Sequence, residues 1–148
     1  MMSYKYGTRS LNKLSTCHPK LQLIATEALK RSPYDITIIH GWRGELVQNA
    51  LFDSGASRKQ FPNSRHNKSN DPSNEDKDIS DALDFAPWVK GTIPWNDTHI
   101  FALIAGVFIS TAIDMGYKLR YGGDWDSDGS TRDQTLMDWG HLEIDWDN

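Results

Sequence analysis

The sequence predicts an α+β fold, a small antiparallel sheet packed against helices. Three observations predict it. Apolar residues recur at helical spacing in Pro19–Arg31, in Glu45–Asp53 and across residues 97–115. Runs of strand length stand at 35–39, 81–85, 118–121 and His141–Ile144. At 148 residues, 38% of them hydrophobic, the chain is large enough for one core and too small for two, so a single domain is expected.

In Pro19–Arg31, Leu21, Ile24, Ala25, Ala28 and Leu29 form one apolar face. Pro19 suits the first turn, and Ser32-Pro33 stops the helix. His18, just ahead, reads as a capping or surface residue. Residues 35–39 have the β-branched density of a buried strand and deliver His40-Gly41-Trp42-Arg43 at its end. Glu45–Asp53 reads as a short helix with Leu46, Val47, Ala50 and Leu51 turned inward, ended by Ser54-Gly55. Residues 54–80 are then rich in Ser, Asn, Asp, Lys and Arg, a composition that predicts a mobile loop at about 55–80. In 81–85 the alternation of a strand sets Asp81 and Asp84 on opposite faces, and Phe85, Trp88 and Trp95 are expected to cover the core or, in part, to form a wall of the cleft. Asp97 can cap a helix running to about Met115 and closed by Gly116, with exposed His99 in its first turn. Its apolar centre is too short to cross a bilayer, so it reads as the central buried helix.

Composition removes several functions. A net charge of -4 offers no basic face for nucleic acid. The lone Cys17 excludes an internal disulfide and a zinc site built of several thiolates, so no oxidising compartment is needed. Residues 1–10 hold Lys5 and Arg9 but no apolar segment, so no conventional secretory signal is expected.

The chemistry concentrates near the end of the chain. Asp138 stands three residues before His141, and His141 opens a short apolar strand. One ligand does not hold a metal. The best partners upstream lie in Ser64-Arg65-His66 and in Asp81-Ala82-Leu83-Asp84-Phe85-Ala86-Pro87, where an acid is embedded between apolar residues and a cation would offset its burial. Two histidines and a carboxylate leave a fourth zinc position for water, the pattern of a catalytic site. Arg43, taken by itself, reads as a surface arginine paired with Glu45. Asp124-x-Asp126-x-Asp128-Gly129 repeats the first half of a calcium loop, but its twelfth position is Thr135 where a glutamate is needed, so a solvated acidic turn stands beside calcium.

Gly41-Trp42-Arg43, Ser64-x-His66, Asp81-Ala82-Leu83-Asp84 and Asp138-x-Gly140-His141-x-Glu143, in that order, resemble the zinc peptidases of the D-alanyl-D-alanine carboxypeptidase and L-alanyl-D-glutamate endopeptidase superfamily. Within it the chain is most similar to small bacteriophage endolysins, over nearly its whole length. It departs from the family pattern S-x-H-x-x-G-x-A-x-D. The spacing from His66 to Asp84 implies an insertion of about a dozen residues, tolerable because loop-closure entropy grows only logarithmically. Ser80 also stands where the glycine is expected.

The resemblance implies zinc held by His66, Asp84 and His141, Asp138 as general base and Arg43 as oxyanion partner. Glu143 is expected either to hydrogen-bond a ligand ring or to face solvent. The implied substrate is the stem peptide of peptidoglycan, cut between L-alanine and D-glutamate to lyse the bacterial host. The resemblance further implies a monomer, no membrane insertion, and residence in the host cytoplasm until release to the periplasm. A D-alanyl-D-alanine carboxypeptidase and a non-catalytic zinc-binding module are the alternatives; Asp138 counts against the second, because a purely structural site needs no base.

Overall fold

In a computed structural model, residues 3–76, 78–132 and 138–146 are described. Helices α1 (Thr8–Leu14) and α2 (Pro19–Arg31) precede strand β1 (Asp35–His40) and helix α3 (Glu45–Asp53). After the long loop come β2 (Ala82–Trp88), α4 (Thr98–Asp114), β3 (Leu119–Tyr121) and β4 (His141–Ile144). The fold is the expected α+β arrangement, with α1 added to the expected elements. The caps follow local chemistry: His18 Nδ1 accepts the Lys20 N–H at 3.1 Å to open α2, and Asp97 Oδ1 accepts the Ile100 N–H at 3.2 Å to open α4.

The four strands pair antiparallel in the order β1-β2-β4-β3. Side chains alternate across the sheet, so Leu83 and Phe85 of β2 and Leu142 and Ile144 of β4 enter the core. There they meet Leu21, Ile24 and Ala28 of α2 and Phe101, Ile104 and Phe108 of α4, with the Phe85 and Phe108 rings stacked 5.4 Å apart. Each buried Leu, Ile or Phe contributes about 1.5–3 kcal/mol. The opposite parity, Ala82 and Asp84 on β2 with His141 and Glu143 on β4, leaves polar groups on the other face.

Two expectations fail. Helix α3 does not turn its apolar residues inward: Leu46 is 88% exposed and Val47 51%, while Gln48 is fully buried. The helix lies over the polar loop rather than the core, so what it buries is an amide that satisfies backbone and side-chain partners there. Trp88 and Trp95 do not cover the core either and are largely exposed, although Trp95 stacks on Phe101 at 6.0 Å.

Within 55–80 the polar residues find buried partners. Asn67, Ser69 and Asp71 are buried, and Asp71 Oδ2 lies 2.8 Å from His18 Nε2. Asp81, also buried, accepts the Asn70 N–H at 2.6 Å and the Trp146 Nε1–H at 2.8 Å.

Candidate metal centre

Register builds the site. Asp84 on β2 faces His141 on β4, and on its other side it faces His40 on β1. His40 reaches this row only through a shift of register between Ile38 and His40. One extra residue reverses the side-chain parity, so Ile38 stays in the core and His40 turns to the polar face. His66 arrives from the loop. Its Nδ1 lies 2.8 Å from the Gly41 carbonyl; a Cβ on Gly41 would run into the Thr16 side chain and the Lys13 carbonyl, so only glycine lets this turn pack against the end of α1.

The three expected ligands come together. His66 Nε2 and His141 Nδ1 are 3.3 Å apart, His66 Nε2 and Asp84 Oδ1 3.3 Å, and His141 Nδ1 and Asp84 Oδ1 3.1 Å. A tetrahedral ion with bonds of about 2.0–2.1 Å sets its ligand atoms about 3.3 Å apart, so the donor set fits such an ion. The outer ring nitrogens are already occupied. His66 Nδ1 faces the Gly41 carbonyl, and His141 Nε2 faces Glu143 Oε1 at 2.9 Å, which turns the remaining lone pairs inward. Glu143 is therefore buried against the His141 ring rather than facing solvent.

The electrostatics favour a cation between these donors. Burial alone would raise the Asp84 carboxyl, but the His66 charge and hydrogen bonds from His141, His40 and His66 hold it well below the usual range. Burial alone would lower the His141 imidazole, but Asp84 and Glu143 on its two nitrogens push it up to about 10. Burial also lowers His66, against Asp84. A pocket that draws a proton onto His141 draws a metal cation by the same attraction.

Arg43 pairs with Asp84, not Glu45. Its Nη2 donates to Asp84 Oδ2 at 2.7 Å and lies 3.1 Å from His40 Nδ1, while Nη1 donates to Gln48 Oε1 at 3.3 Å. Gln48 Oε1 also accepts Asn67 Nδ2–H at 3.2 Å, and Gln48 Nε2 donates to the Lys59 carbonyl at 2.6 Å. Gln48 and Asn67 escape the sequence reading, whereas His40, at the end of its strand, reads there as a structural residue that the family pattern does not require. His40 depends on a register shift, and the two amides carry no motif.

Asp138 lines the cleft beside His66, His141 and Arg43, and its carboxylate takes no hydrogen bond among the described residues. Partial burial and the Asp84 charge push it up. In the acidic turn, donor atoms of Asp124, Asp126 and Asp128 lie within 4.8 Å of one another. Asp124 already accepts backbone N–H groups from Asp128 and Gly129, as an acidic turn without a cation would. Thr135 lies outside the described residues.

A family model described as phage L-alanyl-D-glutamate peptidase matches residues 2–144. The L-alanyl-D-glutamate peptidase of Escherichia phage T5 is 36% identical over 146 residues, covering 97% of this chain and 99% of that protein. Among solved structures, the Serratia marcescens L-Ala D-Glu endopeptidase ChiX is similar with a TM-score of 0.75 and 23% identity, covering 97% of this chain and 92% of that one, a likeness of fold.

Proposed function

Because this chain belongs to the family of phage L-alanyl-D-glutamate peptidases, we propose that it is an endolysin that cleaves between L-alanine and D-glutamate in peptidoglycan stem peptides and so lyses the host. The observation that carries the catalytic reading is the convergence of His66 Nε2, Asp84 Oδ1 and His141 Nδ1, with a carboxylate at the rim of the same cleft. Zinc suits two imidazoles and one carboxylate, and when bound it supplies Lewis acidity toward the scissile carbonyl and makes an attacking water more acidic.

The chain's own groups do the rest. The Asp138 carboxylate accepts the water's proton and returns it to the leaving amine nitrogen. Arg43 lends a permanent positive charge to the developing oxyanion, and Asp84, His40 and Gln48 hold its guanidinium in place before substrate arrives. Glu143 fixes the His141 ring. The three donors and their flanking groups belong to one chain, which supports action as a monomer and a single catalytic domain with the loop at 55–80 inserted. No helix among the described residues is long and apolar enough to cross a membrane. The activity implies accumulation in the host cytoplasm and release to the periplasm. Calcium at Asp124, Asp126 and Asp128 has weaker support, because Asp126 and Asp128 are exposed, as acidic groups without a cation commonly are.

Mass spectrometry of purified peptidoglycan after digestion tests the bond. New amino-terminal glutamate is expected, whereas release of free D-alanine would point to the carboxypeptidase reaction instead. Metal analysis tests the centre. One zinc per chain is expected, lost together with lytic activity in His66→Ala, Asp84→Ala and His141→Ala, and full occupancy in any of these variants would remove that residue from the ligand set.

A further inference from the structure

The metal centre opens into a cleft of about 740 Å³ whose charge runs against that of the whole chain. The protein carries a net -4, yet this cleft is lined by Arg43, Arg58, Lys59, Arg65 and Arg120 against the carboxylates of Asp138 and Glu143. Arg43 is committed to Asp84. The other four cations have no part in the reaction derived above.

Two of them are held close to the ligands. Arg65 Nε and Arg120 Nη1 approach the same oxygen, Glu143 Oε2, at 3.4 Å and 3.6 Å, while Glu143 Oε1 holds His141. One carboxylate cannot neutralise two guanidinium groups, so positive charge is left over beside the metal centre. Arg120 is fixed by its cross-strand pairing with Glu143, by its guanidinium over the Trp125 ring at 5.3 Å, and by its Nε–H donating to the Trp125 carbonyl at 3.4 Å. Arg65 is fixed through its backbone, whose carbonyl accepts the Asp81 N–H at 3.0 Å. Both side chains stay about one-third exposed, and the two terminal nitrogens of Arg65 have no partner among the described residues. Arg58 and Lys59 likewise form no ion pair among the described residues, and the Lys59 carbonyl is anchored by Gln48. A second recess, lined by Ile39, Trp95, Phe101 and Trp139, meets the basic cleft at Asp138. The centre thus has a basic flank and an apolar aromatic flank.

We propose that Arg65 and Arg120, with Arg58 and Lys59 on the same wall, bind the free carboxylate of the residue that follows the scissile bond and are the residues that set specificity on its leaving-amine side. This rests on the peptidase reading above. A glutamate after the bond keeps one free carboxylate whichever of its two carboxyl groups continues the chain. The forked guanidinium matches that group with two parallel hydrogen bonds. A cleft lined by one sign of charge also concentrates substrates of the other sign. The apolar recess is left for the acyl side of the bond, where alanine presents only a methyl group.

The test uses two synthetic stem peptides that differ only in whether that carboxylate is free or converted to the carboxamide, each incubated with the full-length, metal-loaded protein. A fall in kcat/KM of about tenfold or more for the carboxamide, carried mainly by KM, is expected, because the amide leaves charged donors unmatched. Equal hydrolysis of the two peptides would overturn the proposal. Cleavage of neither would instead defeat the peptidase reading. In the Arg65→Gln/Arg120→Gln double variant the preference should shrink to within about threefold while metal content stays at one ion per chain; an undiminished preference would overturn the assignment to these residues. If the double variant unfolds or loses metal, the two single variants are read by the same ratio, which a purely structural role would not move.

Discussion

Asp84 and His141 stand directly opposite each other on β2 and β4, with Asp84 Oδ1 3.1 Å from His141 Nδ1. An antiparallel pair brings facing side chains within about 5 Å at the Cβ atoms, near enough for two ligands to share one ion. The candidate metal centre is thus a row of the sheet, completed by one histidine from a loop.

Glu143 shares its face of β4 with His141 and holds that ring's outer nitrogen at 2.9 Å. Glu143→Gln keeps the size but loses the charge that makes the imidazole a better donor. Metal affinity should fall about 10–100-fold, measured by competition with a chelator. Unchanged affinity would show that the strand alone orients His141.

Asp138 lines the cleft without being one of the three convergent donors. Asp138→Asn is close to isosteric and should keep both fold and metal, while turnover falls by about 10²–10⁴-fold. The readout is release of new amino groups from peptidoglycan, with zinc measured on the same sample. Near-normal turnover would move the search for a base to Glu143.

Gln48 is fully buried and joins Arg43, Asn67 and Lys59. Gln48→Ala takes the shared acceptor away from a guanidinium donor of Arg43 and an amide donor of Asn67 at once. Unfolding stability should drop by about 2 kcal/mol or more, since each unsatisfied buried group costs about 1–3 kcal/mol. Denaturant titration would reveal it, and a loss under half a kcal/mol would mean that water takes the place of the amide.

Asp71 anchors the long loop. Hydrogen bonds from His18 and Ser73 hold its carboxyl well below the ordinary range. A carboxyl that ionises more readily folded than unfolded stabilises the fold above about pH 4, and the contribution is lost as pH falls below that value and the folded form itself takes up a proton. Asp71→Asn should therefore lower the thermal midpoint at neutral pH and flatten its acid limb between about pH 4 and pH 2. Parallel curves for the two proteins would remove Asp71 from the acid response.

The sequence by itself determined every element except α1. Helical spacing marked α2, α3 and α4, strand-length runs marked the strands, and Pro19, Ser32-Pro33, Asp97 and Gly116 marked helix ends, because periodicity and capping act within a few residues. Asp84 and His141 were legible as candidate ligands because acid and imidazole are scarce on otherwise apolar strands, and His66 because the motifs keep their order. Only the tertiary structure decided how those residues meet. The register shift that turns His40 toward Asp84, the burial of Gln48 in place of Leu46 and Val47, the capture of Asp71 by His18, and the meeting of Arg65 and Arg120 at Glu143 all join residues distant in the chain. Such contacts depend on which face of one element is pressed against another, and no local pattern encodes that.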